Sequence, residues 1–367
     1  MVVVMRVTVF AVAVFLMPYL AGASALFLQT DGMPGVAAGE GFHFQTVDSD
    51  YLNISLDSSE AIRLRLESVP HTVTMRFKPV SASATSTQIT IAGLTPNTAY
   101  YKYEDNYHNL TLILSDGNGA YFYTQDISKA HIVFIQPKKS TKFIANDATG
   151  GDCASIGTWD LATLTCTLTT DLTETVEIDS DGITLDGGGH TTKGSDTGSG
   201  VYLDGRRGVT VRNMRIENFS YGVNLNNSDN NRVGNNIFAN DNQAIVFSDS
   251  NANVVSGNTV SLLVPSRSRH QGFVLFNSSE NFFQDNTISL NNRANVSGRH
   301  QGILLFDSNR NNFVSNSVTD AFQGILLFDS NLNSFISGVV SDTYQGIFLF
   351  DSYDNVVRVN LIQNSER

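Results

Sequence analysis

The chain has 367 residues, of which 41% are apolar and only 16% are charged, and this composition excludes an intrinsically disordered protein. Its formal net charge of −12 argues against a nucleic-acid partner, because such a partner calls for a basic surface. The length leaves room for two or three domains with a large core.

The first predicted element is an apolar segment at the N-terminus. Arg6 is followed by an almost unbroken apolar run that begins at Val7, and small residues up to Ala25 fit a signal-peptide cleavage site. Residues 1–25 are therefore predicted to be a signal peptide, which would make the mature protein secreted, periplasmic or attached to the cell surface. No later run reaches the roughly 18 apolar residues of a membrane-spanning helix, so no transmembrane anchor is expected.

Residues 26–140 have the pattern of a small antiparallel β-sandwich. Apolar Ile62 and Leu64 alternate with charged Arg63 and Arg65, and turn residues interrupt such stretches at short intervals. Alternation of this kind indicates strands with one face toward a core and the other toward solvent.

A short part of this region carries a family resemblance. Residues 91–101 resemble the fibronectin type III signature, with Tyr100 in the position of its tyrosine corner. The resemblance implies a spacer or a binding module, and the segment contains no evident catalytic cluster.

Residues 141–199 are predicted to form the N-terminal cap and first irregular coil of a repetitive region. The two cysteines of the chain, Cys153 and Cys166, lie close together in this segment, and an exported protein favours a disulfide between them. No second cysteine pair or histidine doublet accompanies them, so a zinc site of the usual spacing is not predicted.

Residues 200–367 repeat with a period of 22. The heptapeptide that begins at Gly302 recurs at Gly324 and, with one change, at Gly346. Seven coils can be aligned in this way, and they start at Gly200, Gly222, Ala244, Gly272, Gly302, Gly324 and Gly346. Three short alternating apolar segments per coil predict a parallel β-helix, and the crossover rule favours a right-handed one.

Asparagines recur at two positions in each coil. The first set is Asn231, Asn253, Asn281, Asn311, Asn333 and Asn355, and the second is Asn236, Asn258, Asn286, Asn316 and Asn360. Copies that lie roughly 4.8 Å apart in a stack bond to one another through their amides, so these sets are predicted to be ladders at turns. The repeated Asp-Ser pair, as at Asp307 and Ser308, is also typical of turns.

The glycine-led coils with Ser-x-x-Asn turns, as at 228–231 and 330–333, resemble the NosD-like, pectate-lyase-type β-helix repeats. The resemblance covers residues 175–367. It implies an all-β chain in which a right-handed parallel β-helix follows the sandwich. That family includes polysaccharide lyases, hydrolases, epimerases, binding modules and a protein linked to copper-enzyme maturation, so it implies an architecture without fixing one activity.

The two coils with insertions end in the same tripeptide, Arg-His-Gln, directly before a coil start. In register, the histidine column reads Asn242, His270, His300, Phe322 and Tyr344, and the next column reads Gln243, Gln271, Gln301, Gln323 and Gln345. Four arginines, at 267, 269, 293 and 299, make residues 266–300 locally basic in an otherwise acidic protein. Because guanidinium groups bind carboxylates and sulfates, this region predicts an acidic polysaccharide partner. Its predicted contacts are Arg267, Arg293, Gln271, Gln301 and Phe322.

The sequence leaves open whether the protein is an enzyme. A polysaccharide lyase would neutralise a uronate carboxylate with Arg269 or Arg299, and would remove the C5 proton with His270, His300 or Tyr344. A glycosidase and an epimerase are the other enzymatic alternatives. Duplication of one coil would also repeat the tripeptide without any function.

Two further functions compete with polysaccharide binding. No cofactor is predicted, but the histidine pair is compatible with a copper ion, as the resemblance implies, and calcium is the other divalent ion left open. Alternatively, the protein is structural or adhesive: Leu304, Leu326 and Phe348 would form an outward assembly face, and the open C-terminal coil would support self-association.

Overall fold

The structure is a computed structural model that describes residues 34–80, 84–262, 269–291, 299–358 and 361–363. The predicted signal peptide lies outside the described residues, as do Arg267, Arg293 and Asn360. The described part consists of strands β1–β35, numbered in chain order, and one short helix, α1 (Cys153–Ile156). No helix among these residues has the length and apolarity needed to cross a membrane. The predicted all-β class is confirmed.

The first eight strands form one antiparallel sheet, the N-terminal sheet. Its strands are β1 (Val36–Gln45), β2 (Ser55–Val69), β3 (Thr72–Lys78), β4 (Ser86–Ala92), β5 (Ala99–Glu104), β6 (Asn106–Leu114), β7 (Tyr121–Asp126) and β8 (His131–Gln136). They follow the order β6-β5-β8-β3-β2-β4-β7, with β1 beside β2. The long strand β2 pairs with β4 through its first half and with β3 through its second half, so the sheet curves around its own apolar core.

The rest of the chain winds into three stacked sheets. Sheet I contains β9 (Thr141–Ile144), β12 (Thr175–Ile178), β15 (Ser199–Asp204), β18 (Tyr221–Asn226), β21 (Gln243–Ser248), β24 (Gln271–Phe276), β27 (Gln301–Phe306), β30 (Gln323–Phe328) and β33 (Gln345–Phe350). Sheet II contains β10 (Gly157–Asp160), β11 (Thr165–Leu168), β13 (Thr184–Asp186), β16 (Thr210–Arg212), β19 (Arg232–Gly234), β22 (Val254–Ser256), β25 (Phe282–Gln284), β28 (Asn312–Val314), β31 (Ser334–Ile336) and β34 (Val356–Arg358). Sheet III contains β14 (Thr191–Lys193), β17 (Arg215–Glu217), β20 (Ile237–Ala239), β23 (Thr259–Ser261), β26 (Thr287–Ser289), β29 (Ser317–Thr319), β32 (Val339–Ser341) and β35 (Leu361–Gln363).

From β12 onward, each coil of this β-helix contributes one strand to every sheet, and apart from the β10–β11 pair the strands are parallel. Inward side chains from the three sheets meet in one continuous core along the axis. Phenylalanines stack in register within it, with ring centroids 4.4 Å apart for Phe283 and Phe313 and 4.7 Å apart for Phe313 and Phe335. Since a single coil has no opposing layer of its own, neighbouring coils supply the burial.

The asparagine ladders lie at the turns, and their described members are buried apart from the half-buried Asn355. The Asn253 N–H donates to Asn281 Oδ1 at 2.8 Å, and the Asn281 N–H donates to Asn311 Oδ1 at 2.9 Å. The left-handed backbone conformation falls on the residue before the asparagine, as at Glu280 (φ 62°) and Arg310 (φ 55°). The asparagine side chain therefore accepts a backbone N–H at the turn, while the residue before it adopts the left-handed conformation that reverses the chain direction.

The predicted disulfide is present at the start of the β-helix. Cys153 in α1 and Cys166 in β11 are bonded, and both are fully buried. They anchor the α1–β11 segment over the first coil, where the core would otherwise be open. Ile144, Ile156 and Leu168 complete this end of the core.

The N-terminal sheet packs on the outer face of sheet I. Phe134, Tyr103 and Tyr107 from the N-terminal sheet share one buried cluster with the outward residues Leu304 and Leu326. Leu304 is 0% exposed and Leu326 is 1% exposed, whereas Phe348, one coil further on, is 40% exposed. Most of the outward apolar column is therefore covered by the same chain.

Candidate functional site

The glutamine column begins the strands of sheet I and forms a chain of amide hydrogen bonds. Each side-chain N–H donates to the amide oxygen one coil further on, at 2.7, 2.6, 2.7 and 2.6 Å from Gln243 to Gln345. Gln243, Gln271 and Gln301 are buried, and Gln323 and Gln345 are half-buried. We term this column, together with the neighbouring histidine column, the amide corner.

Both histidines of the amide corner are buried, with 6% of His270 and none of His300 exposed. His270 Nδ1 donates to the carbonyl oxygen of Asp241 at 2.8 Å, and the His270 N–H donates to His300 Nδ1 at 3.2 Å. Burial lowers the pKa of His270, and burial together with the charges of His270 and Arg269 lowers the pKa of His300 to about 4. Both imidazoles are thus neutral at physiological pH.

The two arginines of the repeated tripeptide have different environments. The Arg269 guanidinium donates to the carbonyl oxygen of Pro34 at 2.9 Å, and its backbone N–H donates to Asp50 Oδ2 at 2.8 Å. Burial lowers the pKa of Arg269, Asp50 opposes this shift, and the nearby charge of Arg299 adds to it. Arg299 is exposed, and among the described residues no carboxylate lies within ion-pair distance of its guanidinium.

The aromatic members of the histidine column lie beyond Arg299. Phe322 and Tyr344 stack nearly parallel, with centroids 4.9 Å apart and an angle of 11° between the rings. The Arg299 guanidinium lies 5.9 Å from the Phe322 centroid. Each ring covers one face of the other, and the outer face of Tyr344 remains for a ligand.

The N-terminal sheet adds residues to this region that the sequence did not indicate as site residues. A cleft opens where the sheet meets the amide corner, and we term it the junction cleft; its lining is Pro34, Gly35, Val36, Asp50, Glu67, Ser68, Val69, Pro70, Asn242, Gln243, Arg269 and Gln271. Glu67 Oε1 accepts the Gln243 amide N–H at 2.8 Å. The one signal in the sequence was the outward apolar column of sheet I, because a face of that kind requires a cover.

The histidine pair offers a divalent metal at most one remaining nitrogen on each ring. His300 Nδ1 already accepts a backbone N–H and His270 Nδ1 donates to a carbonyl oxygen, so one nitrogen of each ring is occupied. The described residues contain no group of three or more His, Cys, Asp or Glu side chains that could hold a metal ion. Met214, whose thioether sulfur is of a type that binds copper, is buried in the core of an early coil. The described residues therefore do not fit a copper site.

Two family models match the β-helix. The family model described as periplasmic copper-binding protein (NosD) matches residues 169–297, and the model described as right handed beta helix region matches residues 264–367. No curated protein matches the sequence.

Several solved structures show a distant likeness. The catalytic domain of a GH87 alpha-1,3-glucanase in complex with nigerose is 11% identical, with 88% of this chain and 80% of that chain covered and a TM-score of 0.24. The catalytic unit of the thermostable GH87 alpha-1,3-glucanase from Streptomyces thermodiastaticus strain HF3-3 is 9% identical, with 84% and 90% covered and a TM-score of 0.21. The two family models overlap at residues 264–297 and together match the parallel coils described above, so the C-terminal half of this chain is a right-handed parallel β-helix of the NosD-like repeat type.

Proposed function

We propose that this protein is an exported module that binds an acidic polysaccharide along the amide corner, with Arg299 and Arg269 holding its carboxylates or sulfates. The observation that carries the proposal is the pair of guanidinium groups on successive coils of a protein with a net charge of −12. Their mutual repulsion contributes to the lowered pKa of Arg269, and an anion between them would relieve it. An exported location accords with the apolar N-terminus and with the periplasmic description of the matching family model.

The residues around the arginines suit a hydroxyl-rich ligand. Gln323 and Gln345 are only half-buried and belong to a polarised amide chain, which offers donors and acceptors in fixed directions. Tyr344 adds an aromatic ring to the same edge. A charged polymer lying parallel to the β-helix axis would meet these groups in successive coils.

The two histidines among the candidate bases are poorly placed for proton transfer, so the proposed function is binding. A base in β-elimination must reach the substrate proton within hydrogen-bond distance. His300 is fully buried and its Nδ1 already accepts the His270 N–H, while His270 is held by the Asp241 carbonyl. We infer that the two imidazoles position the arginines that precede them.

The test is binding of the purified protein to pectate, alginate and a heparan-type chain, with Arg299→Ala as the variant. A charge-assisted hydrogen bond contributes about 1.5–3 kcal/mol, so the dissociation constant should rise by about tenfold or more. Arg310→Ala is the matched control, because it removes the same charge from an exposed arginine on the next coil, where the guanidinium lies near Glu280. Equal affinities of the two variants for every glycan would contradict the proposal.

A further inference from the structure

Strand β6 is an edge of the N-terminal sheet and has an exposed row of leucines. It pairs with β5 on one side, and no strand among the described residues pairs with its other side. Leu110, Leu112 and Leu114 are 46%, 62% and 65% exposed, and because they alternate along the strand they project from the same face. In the rest of the described sheet, the exposed large apolar side chains are Phe42 and Phe122, one to a strand. Strand β6 therefore combines unpaired backbone groups with an uncovered apolar face.

The leucine face continues the surface that packs on the β-helix. Tyr103 of β5 lies opposite Leu110 and belongs to the buried cluster between the N-terminal sheet and sheet I. Tyr101 lies opposite Leu112 and packs against the same cluster. Exposure rises from Leu110 to Leu114, so the strand leaves the cover of sheet I while its apolar face continues into solvent.

Strand β6 differs from the other edges of the sheet in its lack of charge. Its nine residues include no Asp, Glu, Lys or Arg. The other two edge strands, β1 and β7, contain Glu40 and Asp126. Charged side chains on an edge strand oppose pairing with another chain, and β6 lacks this protection. Two copies of a protein with a net charge of −12 can thus pair along β6 without placing carboxylates opposite each other on the paired strands.

The leucine row is also self-complementary. When two antiparallel copies of β6 pair with Leu112 opposite its own copy, Leu110 of each copy lies opposite Leu114 of the other. Side chains directly opposite each other share a face, with Cβ atoms about 4.5–5.5 Å apart, so each leucine is covered by a leucine. His108 Nε2 lies 2.8 Å from Asp179 Oδ2 and ties the start of β6 to the β-helix. The twofold axis therefore places the two β-helices at opposite ends of the strand pair.

We propose that β6 is the contact between two copies of this chain, which join their N-terminal sheets into one continuous sheet by antiparallel pairing about Leu112. A strand pair of this length is small beside the roughly 1,200 Å² of a standard interface, so the dimer is reversible and depends on concentration. It carries two β-helices and hence two amide corners, which allows one long polymer to bind at two points. The dimer forms without a glycan, so this inference is independent of the proposed function.

The first test is the mass of the mature protein as a function of concentration, measured by sedimentation equilibrium without any glycan. The wild type is expected to pass from monomer to dimer. Leu112→Lys removes two apolar contacts and places two ammonium groups opposite each other, so the dimer dissociation constant should rise about tenfold or more. Leu161→Lys is the matched control, because Leu161 is 53% exposed in the turn between β10 and β11 and the substitution adds the same charge there.

Three outcomes of this measurement would overturn the proposal. The first is a wild type that stays monomeric at every concentration, and the second is a dimer of equal stability in the two lysine variants. The third is a dimer that survives Leu112→Lys but is lost in Val357→Lys, which would assign the contact to the last coil. Both leucine positions are exposed, so the lysine variants are expected to fold.

Cysteine cross-linking tests the pairing register. Leu112→Cys adds a free thiol to a chain whose two cysteines already form a disulfide with each other. Thiols directly opposite across an antiparallel pair lie within reach of a disulfide, so mild oxidation should give a covalent dimer on a non-reducing gel. Leu161→Cys should remain monomeric under the same conditions. Equal cross-linking of the two variants would contradict pairing about Leu112.

Discussion

Single carboxyl groups at the junction between the N-terminal sheet and the β-helix respond strongly to burial. Glu177 is 2% exposed, and its Oε2 accepts the Tyr107 N–H at 2.8 Å. Burial is the main cause that raises the pKa of Glu177 to about 8; Asp179 and Asp204 add to the shift, and the Tyr107 N–H and Arg206 oppose it. Burial also raises the pKa of Asp204 to about 6. Burial at the contact between the N-terminal sheet and the β-helix therefore favours the protonated forms of Glu177 and Asp204.

Glu177→Gln is expected to remove a pH-dependent loss of stability. Below the ordinary glutamate pKa, about 4.3, the folded and unfolded chains both hold the proton, so the carboxyl group does not lower the free energy of unfolding. As the pH rises from there to about 8, only the unfolded chain releases it, so the wild type loses up to about 1.4 kcal/mol per pH unit relative to the variant. Above about pH 8 the difference in unfolding free energy between the wild type and the variant is constant.

The measurement is the free energy of urea unfolding of both proteins across this pH range. The difference between them is the informative quantity, because His270 and His300 titrate with lowered pKa values and destabilise both proteins alike as the pH falls. A difference that stays flat through the window would mean that Glu177 is ionised in the folded protein.

At the level of structural elements, the asparagine ladder replaces hydrogen bonds that a tight turn leaves unmade. Asn281 Oδ1 accepts the backbone N–H of Asn253 at 2.8 Å, and its side-chain N–H donates to the Ser250 carbonyl at 3.1 Å and to Asn311 Oδ1 at 3.0 Å. Asn281 is 1% exposed, so water does not reach these groups. One side chain thus ties three successive coils together.

Asn281→Ala is predicted to lower the free energy of unfolding by about 3 kcal/mol, because it leaves a buried N–H and a buried carbonyl without partners. Asn118→Ala, at an exposed turn of the N-terminal sheet, is the control and should change it by less than about 0.5 kcal/mol. Urea unfolding followed by circular dichroism checks both. Equal midpoints would show that the stacked strands hold the turn without the amide.

For the whole molecule, the decisive feature is the packing of the N-terminal sheet on sheet I. A cation–π contact and an ion pair both cross this interface: the Arg65 guanidinium lies 3.0 Å from the centroid of Phe276, and Lys78 pairs with Asp249. The two parts meet through a shared apolar cluster that includes Leu304. This contact closes the amide corner and creates the junction cleft.

Leu304→Asp should undock the N-terminal sheet, because it buries an unpaired carboxylate at a cost of several kcal/mol. Limited proteolysis should then cut the connection at 137–140 much faster, while the β-helix stays resistant. Leu332→Asp is the control, since Leu332 is 47% exposed and its φ of 59° suits aspartate better than leucine. If both variants are digested at the same rate, the interface does not hold the two parts together.

The sequence alone was sufficient for the β-helix, its coil starts, the asparagine ladders and the disulfide. All of these depend on contacts between residues close in sequence or displaced by one coil, so a 22-residue period records them directly. The repeated Arg-His-Gln tripeptide was visible for the same reason.

Only the tertiary structure decided which of those residues a ligand can reach. The contact between Glu67 and Gln243 joins residues 176 apart, and no periodic pattern records such a pairing. The same docking buries Leu304, confines Arg269 and adds Asp50 to the site. Repetition specifies how coils stack on one another, whereas the cover on their outer face is set by shape and charge complementarity between two separately encoded surfaces.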